Sequence, residues 1–107
     1  MISSVLALLL ATTVQSDEAT RQARTAYTGC LRQFMERSLE DRKEIEAFNS
    51  EVAGQCTAQA GSLREAIIAR ELAARGTRAR AEEDARLDVE DAQETFKQLF
   101  ADARTPR

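Results

Sequence analysis

An all-α fold is what this sequence predicts: a disulfide-stapled antiparallel helical hairpin followed by one further C-terminal helix. Three observations predict it. The one proline among 107 residues is Pro106, so nothing in the preceding chain forbids a helix. Apolar residues return at spacings of three and four in three separate stretches. β-Branched residues nowhere alternate with polar ones over a useful length, which leaves no strand signal.

The first sixteen residues differ in kind from the rest. Residues 1–16 carry no charged side chain, whereas all 15 basic and 18 acidic residues lie from Asp17 onward. Val5 to Ala11 is an apolar run of the length of a secretory leader, and Val14-Gln15-Ser16 offers the small and compact side chains that a signal peptidase accepts. About ten apolar residues are too few to span a bilayer. The expectation is therefore a signal peptide over 1–16, a periplasmic or secreted protein, and no stable membrane anchor after cleavage. A buried N-terminal helix is the alternative. The rest, 17–107, is read as a single helical domain, with the hairpin at about 17–74 and the last helix at about 77–104.

In the hairpin, Asp17 and Glu18 suit the positive end of a helix, and Ala23, Tyr27, Cys30, Leu31 and Phe34 form its apolar stripe. The stripe lapses around Ser38 to Arg42, where Ser38 is a candidate cap and the chain is expected to turn. A second stripe runs through Ile45, Phe48, Val52, Cys56, Gln59, Leu63 and Ile67, and its phase survives Gly54 and Gly61, which places both glycines inside a helix. Residues that face each other in two antiparallel helices have positions with a nearly constant sum. If Cys30 faces Cys56, then Phe34 faces Val52, Tyr27 faces Gln59, Ala23 faces Leu63 and Ala19 faces Ile67. That register centres the turn near residue 43, within 41–46.

Only 15 Ile, Leu, Val and Phe residues follow Ser16, a thin core for an independent domain. Cys30 and Cys56 are the two cysteines of the chain, and an oxidising compartment would let them bridge and supply the missing constraint. Two separate buried thiols are the alternative reading. A catalytic thiol has no support, since the chain contains no histidine to activate it and no Cys-x-x-Cys spacing.

Beyond Gly76, the residues Ala81, Ala85, Val89, Ala92, Phe96, Leu99 and Phe100 again recur at helical spacing. This helix could fold back to make a three-helix bundle, protrude, or pair with another copy in a short coiled coil. Its most apolar piece, Phe96, Leu99 and Phe100, is either core or a partner-binding face. Charge is segregated along the same region. Arg64 to Arg80 has five arginines against two glutamates, whereas Glu82 to Glu94 has seven acids against Arg86. Helix-spaced pairs such as Arg78 with Glu82 and Arg86 with Glu90 offset part of this. Self-association of the opposite blocks is one use for the remainder. Weak Ca²⁺ binding by Asp84, Asp88, Asp91 and Glu94 is another, but the EF-hand loop and its glycine are missing, so no metal or cofactor is expected.

A formal net charge of −3 argues against nucleic-acid binding. Zero His and zero Trp, no phosphate loop and no nucleophile elbow argue against an enzyme. At Ala26-Tyr27-Thr28-Gly29-Cys30, with Cys56 and the leader-like start, the chain resembles a loose class of uncharacterised short exported proteobacterial helical proteins with an Ala-Tyr-x-x-Cys helix and a second Cys-bearing helix. The resemblance spans roughly 17–74 and implies a disulfide-linked hairpin; it implies no activity. The functional expectation is a structural or protein-interaction module, acting on an unknown protein partner or on itself, with a small exported inhibitor or ligand-binding scaffold as the alternative.

Overall fold

In the computed structural model the described residues run from 2 to 106, with side chains described from Gln15 onward. Four α-helices are described: α1 (Ile2–Glu40), α2 (Ile45–Glu51), α3 (Thr57–Ala73) and α4 (Arg78–Arg104), with a 3-10 turn (Val52–Gly54) after α2. No strand occurs among the described residues. The expected leader at 1–16 lies almost wholly outside the residues with described side chains, and α1 passes Ser16 without interruption.

Two helix ends set the turns. After α1, Arg42 adopts a left-handed conformation (φ 54°), which lets the Lys43 N–H donate to the Ser38 carbonyl at 2.9 Å and the Arg42 N–H to that of Leu39 at 3.1 Å. After α3, Arg75 (φ 67°) repeats the arrangement, with Gly76 donating to the Glu71 carbonyl at 2.8 Å. Gly76 eases this close approach, since a Cβ would lie a tight 3.1 Å from that same oxygen. Thr77 then caps α4 by accepting a hydrogen bond from the Arg80 N–H at 3.2 Å. Gly76 and Thr77 thus return the chain upon itself. Of the three arrangements open to the last helix, the chain takes the bundle: α4 packs along α3 and, less closely, along α1.

The hairpin forms as expected at its centre. Cys30 and Cys56 are bonded, with Cα atoms 6.0 Å apart. The Thr20 hydroxyl donates to the Ala66 carbonyl across the α1–α3 interface at 3.4 Å, a pair in the same register as the cysteines. The turn occupies 41–44. Ser38 is no cap: it lies within α1, buried at 1% exposure, and its hydroxyl has no hydrogen-bond partner among the described residues.

The second arm differs from expectation. Instead of one helix it is broken at Gln55–Cys56, where Cys56 is left-handed (φ 58°) and immediately precedes α3. Gly54 ends the 3-10 turn, while Gly61 does lie inside α3. The break turns α2 off the axis of α3 and onto α4. Phe48 thereby stacks between Phe34, at 5.1 Å between ring centroids, and Phe100, at 4.1 Å. Contacts made outside the segment, the Cys30 bond and the aromatic stack, thus accompany a break that the helical spacing linking α2 to α3 does not announce.

The core is small but continuous. Tyr27, Leu31 and Phe34 of α1 meet Leu63 and Ile67 of α3, and Val89, Phe96 and Phe100 of α4, around Phe48 and Val52. Polar ties hold α4 in place: Gln93 Nε2 donates to the buried Tyr27 hydroxyl at 3.1 Å, and Arg104 Nε donates to the Lys43 carbonyl at 3.0 Å. Lys43 covers the Phe34 ring at 4.7 Å and pairs with Glu51 at 2.6 Å.

Two expected outcomes follow from this packing. Replacing both cysteines with serine opens a 26-residue loop, and the chain-entropy relation puts the loss near ~3.5 kcal/mol, so thermal unfolding of the double variant should begin more than about ten degrees lower. An unchanged melting curve contradicts this. Ser38→Ala removes a buried hydroxyl without a partner and should stabilise the chain by roughly 1 kcal/mol in urea titration.

Candidate functional site

A groove runs along the surface bordered by α1, α3 and α4. One part, about 230 Å³, is lined by Ile67, Arg70, Glu71, Asp84 and Leu87 together with Arg24, Asp88 and Asp91. A second part, about 200 Å³, is lined by Thr28, Leu63, Ala92, Thr95 and Phe96 together with the same Arg24, Asp88 and Asp91. The shared residues make the two parts neighbours, and an ion pair between Arg24 Nη2 and Asp88 Oδ2 at 2.5 Å stands between them. The first part is lined mainly by charged side chains beside Ile67 and Leu87, and the second mainly by apolar ones, Leu63, Ala92 and Phe96.

Helical spacing explains this rim. Asp84, Asp88 and Asp91 lie on one stripe of α4, immediately beside the stripe of Ala81, Ala85 and Val89 that enters the core. Arg24 of α1 reaches Asp88 across 64 residues of sequence, a pairing that no local spacing announces. With Asp88 engaged, Asp84 is left beside Glu71 of α3. Partial burial, and then the adjacent Asp84 carboxylate, push the Glu71 carboxyl above its ordinary value, while Arg70 and Arg80 pull it the other way. When protonated, Glu71 can donate to Asp84.

Elsewhere on α4 the charges satisfy one another along the exposed face. Arg86 is clasped between Glu83 and Glu90, with Nη1 contacting Glu90 at 2.8 Å, and this holds the Glu83 carboxyl below its ordinary value. Lys97 pairs with Glu94 at 3.1 Å and Arg78 with Glu82 at 3.2 Å. Such pairs are solvated and contribute little. Among the described residues no group of three or more carboxylates or thiols is placed to hold a metal ion. Of the four acids considered as Ca²⁺ ligands, Asp84 lies by Glu71, Asp88 pairs with Arg24 and Glu94 pairs with Lys97, and Asp91 lines the groove.

Of the two readings open to Phe96, Leu99 and Phe100, core or partner-binding face, burial selects core for two. Phe96 and Phe100 are only 2% and 0% exposed and belong to the core, with the Arg32 guanidinium lying over the Phe96 ring at 5.8 Å. Leu99 alone of the three is exposed, at 43%. The reason is α2: the sequence register laid it along α1, whereas it covers the end of α4 and consumes Phe100. Leu87, at 42% exposure on the groove rim, was not singled out by its spacing. No described helix is long and apolar enough to cross a membrane.

The Glu71–Asp84 contact has a definite pH dependence. A carboxyl whose folded pKa is raised contributes stability in acid that is lost as the pH rises through that value. Glu71→Gln keeps a donor for Asp84 and removes the charge, so it should raise the melting temperature at about pH 7 and leave it nearly unchanged at about pH 3.5. An equal gain at both pH values would exclude like-charge repulsion as the cause. Comparison with protein-family models, with curated proteins and with solved structures finds no match to this chain.

Proposed function

We propose that the chain is a small exported helical protein that acts in the periplasm or outside the cell as a structural or protein-interaction module. The observation that carries this reading is the groove between α1 and α4: shallow, lined by the apolar Leu63, Ile67 and Phe96 and by the charged Arg24, Asp84, Asp88 and Asp91, and bordered by the exposed Leu87. Apolar side chains beside charged ones are the anatomy of a protein contact, in which a partner's side chain packs on the former and the charges select its orientation. Arg24 pairs with Asp88 and Glu71 lies against Asp84, so the groove presents fixed charges of both signs, which suit recognition of a partner surface. Export is supported by the Cys30–Cys56 bond, which persists where thiols are not kept reduced, and by the uncharged start of the sequence.

The test uses the full chain expressed with its own N-terminus. Intact mass should show loss of residues 1–16 and of two hydrogen atoms for the disulfide. Size-exclusion chromatography with light scattering then separates self-association from a monomer that binds another protein. A photo-crosslinking residue at position 87 should give one discrete adduct, to a second copy or to a partner, and Asp91→Arg should reduce that adduct at least tenfold. Retention of residues 1–16 in the cytoplasm rejects export, and a monomer with no adduct at position 87 rejects the interaction reading.

A further inference from the structure

The second arm of the hairpin breaks where its sequence does not ask for a break. Phe48, Val52, Cys56, Leu63 and Ile67 keep helical spacing across Gln55–Cys56, and no proline lies between them. Gly54, the residue best suited to a left-handed turn, does not have a positive φ, and the left-handed position falls on Cys56. That conformation is unfavourable for any residue with a Cβ. Cys56 also makes no side-chain capping hydrogen bond at the start of α3. The break must therefore be held from outside the segment.

Helix geometry identifies the Cys30 bond as the holder. At 100° per residue, Cys30 stands about 70° from the centre of the buried stripe of α1, which Thr20, Tyr27, Leu31, Phe34 and Ser38 define. If α3 continued backward without interruption, Cys56 would stand within roughly 20° of the centre of its own stripe, defined by Ala60, Leu63 and Ile67. One sulfur would point to the flank of the interface and the other into its middle. Turning Cys56 left-handed swings its Cβ away from the stripe of α3 and lets the two meet.

We propose that the Cys30–Cys56 disulfide is a redox-sensitive pin that holds the chain broken at Gln55–Cys56, and that its reduction by a dithiol joins residues 45–73 into one helix, drawing α2 off α4 and baring Phe100. Both cysteines are half-buried, within reach of a small or protein dithiol. A thiolate of the reductant attacks one sulfur, the S–S bond breaks, and a mixed disulfide forms. The reductant's second thiol resolves it. Two electrons pass to the cystine, two protons complete the Cys30 and Cys56 thiols, and the reductant leaves as its own disulfide. Freed of the pin, the N–H groups of Cys56 and Thr57 gain the carbonyls of Val52 and Ala53 as helical partners. Phe100 then loses the Phe48 ring stacked on it and adjoins the exposed Leu99.

The competing holder is the Phe34–Phe48–Phe100 stack, so the experiment separates the two. Backbone couplings and Cα shifts of Cys56, with amide exchange at Cys56 and Thr57, are recorded by NMR for the oxidised chain, the chain reduced with dithiothreitol, and the oxidised Phe48→Ala variant. The expected result is a left-handed Cys56 in both oxidised samples, and a helical Cys56 with at least tenfold slower exchange at the two amides after reduction. The proposal is overturned if Cys56 stays left-handed on reduction, if the reduced chain loses its helices altogether, or if oxidised Phe48→Ala is already helical at Cys56.

Discussion

The bond between Cys30 and Cys56 is the constraint on which the other contacts depend, because alanine-rich helices bury too little apolar surface to hold their register alone. It ties α1 to the residue immediately preceding α3. On one side of that tie α1 and α3 run together, with Thr20 bonded to the Ala66 carbonyl and Tyr27 and Leu31 set against Leu63 and Ile67 in the shared core. On the other side the chain is released from α1 and swings toward α4. One covalent link therefore divides the molecule into a region ordered by helix pairing and a region ordered by aromatic stacking.

The aromatic region compensates for what the break gives up. Ending α3 at Thr57 and α2 at Glu51 forfeits helical hydrogen bonds, of which the 3-10 turn recovers some, with Gln55 donating to the Val52 carbonyl at 3.1 Å. Phe48 then supplies a full ring to a gap that Phe34 and Phe100 could not close between them. Arg104 and Lys43 seal the outside: one binds the carbonyls of the 41–44 turn, and the other lies over Phe34. The C-terminal end of α4 is thus fastened to the α1–α2 turn by backbone acceptors that are already in place once the Arg42 turn has formed.

Much of this fold was legible in the sequence where period and covalent chemistry agree. The stripes of Tyr27, Leu31 and Phe34, of Leu63 and Ile67, and of Ala85, Val89 and Phe96 are periodic, and each enters the core. Gly76 marked the start of the last helix, but whether that helix folded back, protruded or paired with a copy was left open by its spacing. The path of α2 was not legible. Phe48 and Val52 keep the phase of α3, and what overrides this phase lies outside the segment, in Cys30, bonded to Cys56, and in the Phe34 and Phe100 rings on either side of Phe48. Ser38 misled for a similar reason: a polar residue at the end of a stripe resembles a cap until tertiary packing buries it.

The groove was hidden in the sequence because its properties arise from pairings between helices. Along α4 alone, Asp84, Asp88 and Asp91 are an acidic run balanced in part by Arg86, and Arg86 faces away from all three, toward Glu83 and Glu90. The excess negative charge can then be met only from α1 and α3. Arg24 meets Asp88, leaving Asp84 to lie next to Glu71, and that like-charge contact persists since the core stripe beside it fixes the phase of α4. Rotating α4 to separate the two carboxylates would withdraw Ala85 and Val89 from the core, a larger loss than repulsion between two solvated groups. The same contest explains why Leu87 stays exposed: the phase that buries Ala85 and Val89 necessarily turns the residue midway between them toward the groove rim and solvent.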